Sequence, residues 1–441
     1  MKIQLSEHFT YRKLLKFSFP SIVMMVVTSI YCVVDGLFVS NFAGTTAFAA
    51  VNLIMPYIML FGTLGVMIGT GGTALVSMTM GTGDHTRANR IFSQLIWFSI
   101  GAGAALAILA IALLRPAAIL MGAQGELVDL CVDYGAFMLP ALPALLLQYS
   151  FQSFCAAAEK PNLGLGFTIA AGVTNMVLDA VLVPRWGIRG AAIATALSQC
   201  VGGIGPLLYF SRENTSLLRL SWAKIEGRVF LRTCTNGSSE LMSNLSMNLV
   251  GILYNWQLMK FVGENGVAAY GVIMYVNYIF VSVFLGYCFG AAPVIGYHYG
   301  AGNHTELKGL LRKSLVILTV ISVGLTLLAE SLAAPLSYIF VGQDPGLYDM
   351  TKRAFIICSL IFLLCGYSIF GSSFFTALNN GLISAVISFL RTMVCQVAAV
   401  LILPIFFELD GIWWSVVVAD LASVLLTAFC IIKYRKQYHY A

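Results

Sequence analysis

Twelve stretches of about twenty or more mostly apolar residues run through this 441-residue chain, and they restrict its fold more than any other feature. They lie approximately at 15–40, 47–80, 91–114, 134–157, 163–183, 190–210, 233–259, 267–298, 314–333, 353–377, 382–407 and 411–432. A helix crossing a hydrocarbon core of roughly 30 Å needs about 20 such residues. In lipid each backbone N–H and C=O must find its partner inside the protein, which a helix achieves alone. A transmembrane barrel would instead show segments of about ten alternating residues, and the runs here are continuous. The reading is an all-α integral membrane protein with twelve transmembrane helices. Composition agrees, with 59% hydrophobic residues against 10% charged. That balance excludes a soluble multidomain protein, a disordered chain and a disulfide-stapled module. The first span lacks a small-residue cleavage site after a short apolar stretch, so it reads as a retained helix rather than a signal peptide.

The charges set an orientation. With the N-terminus placed inside, the inner segments hold 18 of the 25 Lys and Arg residues, the outer segments hold six, and Arg391 lies within a span. Such a bias is the positive-inside pattern. Both termini are therefore expected in the cytoplasm of a multi-pass protein of the cell membrane. The net charge of +6 is then topological and calls for no nucleic-acid partner. The ten cysteines sit mostly in apolar spans without CxxC spacing, where cysteine behaves as a small hydrophobe. The five histidines suggest no metal site. No Walker loop, nucleophile elbow or HExxH motif is present, so no enzyme activity and no organic cofactor is expected.

The chain repeats itself. Residues 42–86 align without a gap to 261–305 at an offset of 219, matching Phe61 with Phe280, Gly71 with Gly290, and the loop Gly-Thr-Gly-Asp-His-Thr at 81–86 with Gly-Ala-Gly-Asn-His-Thr at 300–305. At an offset of 220, Ser153 and Phe154 match Ser373 and Phe374, and Pro184 matches Pro404. The organisation expected is an N-lobe (1–211, helices 1–6), a polar basic linker (212–232) and a C-lobe (233–441, helices 7–12). Because six is even, the halves form a parallel repeat about an axis along the membrane normal, an arrangement suited to alternating access.

A charge at bilayer depth costs at least about 2.5–3.5 kcal/mol, so the few inside the spans are candidates for function. They are Asp35, Asp179, Glu240, Asp420 and Arg391. Asn175 precedes Asp179 by four residues, placing both on one helical face. If the first and fifth helices pack, Asp35, Asn175 and Asp179 form an oxygen-rich, negative pocket for a proton or a hard monovalent cation. Arg391 needs an acidic partner, which Glu240 or Asp420 would supply, and such a cluster serves coupling or architecture equally well. Pro20 is placed to bend the first helix. Aromatic residues including Tyr31, Tyr254, Tyr275 and Tyr278 are candidates to line a substrate cavity.

These residues resemble those of the multidrug and toxic compound extrusion (MATE) family. The resemblance covers nearly the whole chain: twelve spans, two parallel six-helix halves, and glycine-containing loops after the second and eighth helices. It implies a V-shaped pair of bundles that exports cationic, lipophilic compounds in exchange for H⁺ or Na⁺. It also implies a coupling-cation site at Asp35, Asn175, Asp179 and Thr195, with Pro20 fifteen residues and Tyr31 four residues before the aspartate, and Ala191 four before the threonine. The C-lobe departs from the pattern: Glu240 resembles the seventh-helix acid, but the tenth helix has no aspartate. The partners implied are small organic cations, lipophilic drugs and the bilayer, acting on a monomer. The alternatives are a lipid-linked oligosaccharide flippase of the same superfamily, which would want a strongly cationic central cavity, and a non-transporting receptor or channel.

Overall fold

The computed structural model describes residues 3–224, 226–342 and 344–440. Lys2, counted above among the inner cations, lies outside them. Among the described residues there are helices and no strand. The first lobe opens with α1 (Tyr11–Phe38), capped by Thr10 and prolonged by a π turn at Val39–Ala43. Pro20 sits inside α1 without ending it. Next come α2 (Thr45–Gly81), α3 (His85–Ala112) and α4 (Glu126–Ala157), with a short helix Leu114–Leu120 between the last two.

The next helical stretch, Pro161–Ser211, has 51 residues. Straight, it would measure about 76 Å, far beyond the thickness of a membrane. It is two helices, α5 (161–186) and α6 (188–211), that reverse at Gly187, where φ is 55° and ψ is −132°. Only glycine enters that region without a Cβ penalty. The reversal is pinned by Asn175 Nδ2, which donates to Thr195 Oγ1 at 3.4 Å. Twenty residues apart in one straight helix, those groups would be separated by about 30 Å.

The second lobe repeats the design with α7 (Ser238–Phe261), α8 (Glu264–Gly300), α9 (His304–Val341) and α10 (Pro345–Ala377). Its last two helices, α11 (381–407) and α12 (409–438), reverse at Glu408, with φ of 49° and ψ of −128°. Among the described residues, nine helical stretches are apolar and long enough to cross a membrane. Two of them are these double helices, and α7 completes the twelve expected. The linker is not a free tether. Ser221 N donates to Ser93 Oγ at 2.9 Å, Trp97 Nε1 donates to Ser221 O at 3.0 Å, and an amphipathic helix, Gly227–Asn236, sets Phe230 on Phe98 of α3.

The repeated polar loops are the same turn built twice. Gly83 and Gly302 take positive φ, and Asp84 and Asn303 then cap α3 and α9 by accepting from Arg87 N (2.9 Å) and Glu306 N (3.1 Å). Their conservation between halves is thus a matter of turn and cap chemistry. Further along, α4 and α10 end at Ala157 and Ala377, an offset of 220, whereas the reversals at Gly187 and Glu408 stand 221 apart. The extra residue is absorbed by a π turn at Leu390–Cys395 in α11, which α5 lacks. Pro404 therefore corresponds to Val183, and the match of Pro184 with Pro404 is one residue out of register.

The lobes meet on the face that carries both chain termini. There α2 and α8 cross backbone to backbone: a Cβ on Gly81 would overlap the Tyr297 carbonyl, and one on Gly300 the Met78 carbonyl. Alongside, Gly286 and Gly290 of α8 press on Ser21, Ile22 and Ser18 of α1, next to Pro20. Small residues permit this approach between helices in lipid. Residues 3–10 strap the joint. Leu5 N donates to Glu159 Oε1 (2.7 Å) in the first lobe, while Phe9 N donates to Glu306 Oε1 (2.9 Å) in the second. Glu306 Oε2 also meets His8 Nδ1 at 2.5 Å, and Lys313 Nζ donates to Phe9 O. The Lys13 ammonium, 2.7 Å from Glu7, holds that half-buried carboxyl below the usual range.

Candidate cation site

Helices α1 and α5 do pack, and the α5–α6 reversal folds α6 onto them. This brings Asp35, Asn175, Asp179 and Thr195 together: the Asp35 carboxyl faces the side chains of the other three. Asp35 is 8% exposed, Asn175 1% and Asp179 0%. Asp35 Oδ1, Asn175 Oδ1 and both oxygens of Asp179 are buried without a hydrogen-bond partner. Among the described residues no Lys, Arg or His stands within 4 Å of either carboxylate. Burying one unpaired carboxylate is costly, and burying two face to face adds their repulsion. A proton shared between them, or a monovalent cation seated among the oxygens, relieves both costs. No cluster of three or more His, Cys, Asp or Glu suited to a transition metal occurs among the described residues.

One member of the site escaped the sequence reading. Tyr134 of α4 is fully buried, faces Asp35, Asp179 and Thr195, and its hydroxyl has no acceptor. In sequence it stands among ordinary helical residues, and only the packing of α4 on α6, seen also in the Arg189–Asp133 pair, selects it.

The second-lobe cluster is arranged differently from expectation. Arg391 does face both Glu240 and Asp420, but among the described residues it makes no ion pair within 4.0 Å. The reason is placement. Arg391 rides on the π turn of α11, Glu240 in the first turn of α7 and Asp420 on α12. The four tyrosines also divide. Tyr31 accepts from Gln148 Nε2 at 3.4 Å and faces Tyr278, which with Tyr275 is about half exposed on α8. Tyr254 is instead buried inside the second lobe, its hydroxyl 2.7 Å from Ser415 Oγ, so it does not join them.

Comparison with known proteins bears on this geometry. The sequence profile of the family described as MatE matches residues 20–181 and again residues 241–402, once per lobe. The multidrug export protein MepA of Staphylococcus haemolyticus is 23% identical over 433 residues, covering 97% of this chain and 94% of the relative. MepA of Staphylococcus aureus (strain N315) is 22% identical over 427 residues, with 94% and 93% covered. Among solved structures, the outward-facing conformation of a multidrug resistance MATE family transporter superposes with a TM-score of 0.92 at 21% identity, covering 98% of each chain.

Proposed function

The chain belongs to the MatE family and is a multi-pass membrane transporter, and from that premise we propose that it exports cationic, lipophilic drugs and toxic organic compounds in exchange for H⁺ or Na⁺. The observation that carries this reading is the pair of facing, buried carboxylates, Asp35 and Asp179, with their unpartnered oxygens. Such a pair is neutralised by the coupling ion and recharged on its release. The terminal face, rich in Lys and Arg, is cytoplasmic in this scheme. With the lobes joined there, the site loads from the opposite, outer side. Cation entry neutralises the pocket, the packing of α1 near Pro20 changes, bound drug leaves, and the lobes rock to open inward. An ion can shift that equilibrium only by its differential affinity for the two states, and a pocket whose charge is cancelled in one of them supplies such a difference. Na⁺ would use the oxygens of Asp35, Asn175, Asp179 and Thr195, and H⁺ only the carboxylates. A flippase for pyrophosphate-linked lipids would want cationic walls, the opposite of this pocket.

The test is ethidium efflux from proteoliposomes, first under a pH gradient and then under a Na⁺ gradient alone. Wild type should respond to one of them, and Asp35→Asn and Asp179→Asn should abolish coupled efflux while the purified variants remain folded. Wild-type efflux from either variant overturns the assignment.

A further inference from the structure

The second lobe holds a pocket lined by residues of α7, α8, α10, α11 and α12. Its place in the fold is informative. Tyr254 follows Asp35 by 219 residues, the register of the repeated loops, and Gln396 and Val416 follow Asn175 and Thr195 by 221, the register of the reversals; all three line the pocket. The pocket is thus the pseudo-symmetric counterpart of the cation site, with its carboxylates gone: Tyr254 stands for Asp35, and Val400 for Asp179.

New charges have entered instead. The inserted residue of the α11 π turn is accompanied by Arg391 and Thr392, both on the pocket wall, and π turns recur at functional sites. Asp420 of α12, 2% exposed, also lines the pocket, with Oδ2 buried and unpartnered. Asn277 Oδ1, also on the wall, lacks a partner as well. Arg391 and Asp420 share the pocket without touching. The remaining wall is apolar and aromatic. Tyr254 and Tyr270 stack with ring centroids 5.4 Å apart, held by the Tyr254–Ser415 hydrogen bond, and Phe355 and Phe362 face the same space.

We propose that this second-lobe pocket binds amphiphilic zwitterions, with Arg391 taking a carboxylate, Asp420 a protonated amine, and the tyrosine and phenylalanine rings the aromatic body. The first-lobe site bears two negative charges and attracts bare cations. The lining of this one carries one charge of each sign, on neighbouring helices, with Glu240 facing Arg391 from outside the lining; a simple cation pairs with Asp420 and is repelled by Arg391, whereas a zwitterion satisfies both. A guanidinium fork matches a carboxylate in two parallel hydrogen bonds, and an apolar, aromatic lining with a few placed polar groups is the usual make-up of a small-molecule site. As a substrate site this rests on the exporter reading, but the binding itself is measured separately.

Two fluorescent probes differ by one group: Nε-dansyl-lysine carries the zwitterion, and dansylcadaverine is the same molecule without the carboxylate. Equilibrium binding to the full-length protein in detergent should give, for Arg391→Gln, at least a tenfold loss of dansyl-lysine affinity and no loss for dansylcadaverine, which is freed of a repulsion. Arg391→Lys should restore part of the loss. Gly251→Leu offers an independent route. Gly251 lines the pocket, a Cβ there meets nothing within 4 Å, and the larger side chain should fill the space and cost dansyl-lysine at least tenfold. Dansyl-lysine affinity unchanged within twofold in either folded variant, or equal losses for both probes in Arg391→Gln, overturns the proposal. Wild-type protein that binds dansyl-lysine as described yet moves ethidium under neither gradient would instead refute the exporter reading alone.

Discussion

Glu408→Gly should make this protein more stable, although it removes a side chain and adds flexibility. At φ 49° and ψ −128°, Glu408 occupies a region where a Cβ is strained. Its counterpart, Gly187, takes nearly the same angles, φ 55° and ψ −132°, without one. A residue held in such a region costs about 1–3 kcal/mol. Against that, glycine raises the entropy of the unfolded chain by about 0.4–1 kcal/mol. The difference is a gain of about 0.5–2 kcal/mol. The Glu408 side chain is exposed, so little contact energy is lost with it. Glu408→Ala separates the two effects: it discards the carboxylate but keeps the Cβ, and should change stability by less than about 0.5 kcal/mol. Gly187→Ala is the mirror experiment and should destabilise by a similar margin to that gained at 408. The assay is the unfolding midpoint of the purified protein in detergent, followed by the fluorescence of its six tryptophans. If Glu408→Gly lowers the midpoint, or Gly187→Ala leaves it unmoved, the strain argument is wrong.

Other consequences are open to direct measurement. Gly300→Ala places a methyl group on the Met78 carbonyl and should push the lobes apart on the terminal face, read as a longer spin-label distance across it; an unchanged distance would show that the crossing yields locally. Glu306→Gln weakens the charged contacts to His8 and Lys313, and at about 2 kcal/mol for a charge-assisted network the amides of residues 5–9 should exchange hydrogen roughly 30-fold faster. By contrast, the exposed Arg353–Asp410 pair on the opposite face should be worth less than about 1 kcal/mol, so Asp410→Asn should barely move the unfolding midpoint. Tyr134→Phe, which removes only the buried hydroxyl, should alter the concentration of coupling ion needed for half-maximal efflux while leaving expression unchanged; no shift would place the hydroxyl outside the site.

The twelve helices were legible because bilayer thickness imposes one length on every span. The carboxylates were legible because an Asp inside an apolar run has nowhere cheap to go. What the sequence hid was local geometry. The spans at 382–407 and 411–432 place a break at 408–410, but nothing in Phe-Phe-Glu-Leu announces that Glu408 itself takes the positive φ, for which glutamate is a poor choice. The π turn at Leu390–Cys395 leaves no compositional trace, and it is what put Pro184 and Pro404 one residue out of step. It also carries Arg391 to a pocket wall rather than into an ion pair, a placement that depends on one extra residue per turn. Tyr134 joins the cation site through the packing of helices far apart in sequence, which periodicity along one helix cannot reveal.

The glycine crossing of α2 and α8 bears on how fast such a molecule can change shape. Where helices meet through large side chains, parting them strips apolar contact area and frees rotamers that must be repacked on return. At Gly81 and Gly300 there is almost no side chain to strip or repack. The crossing can therefore act as a bearing with little friction of its own. The strap of residues 3–10 adds its own resistance to opening, a latch whose strength is set by two glutamates and can be tuned without touching either lobe's interior.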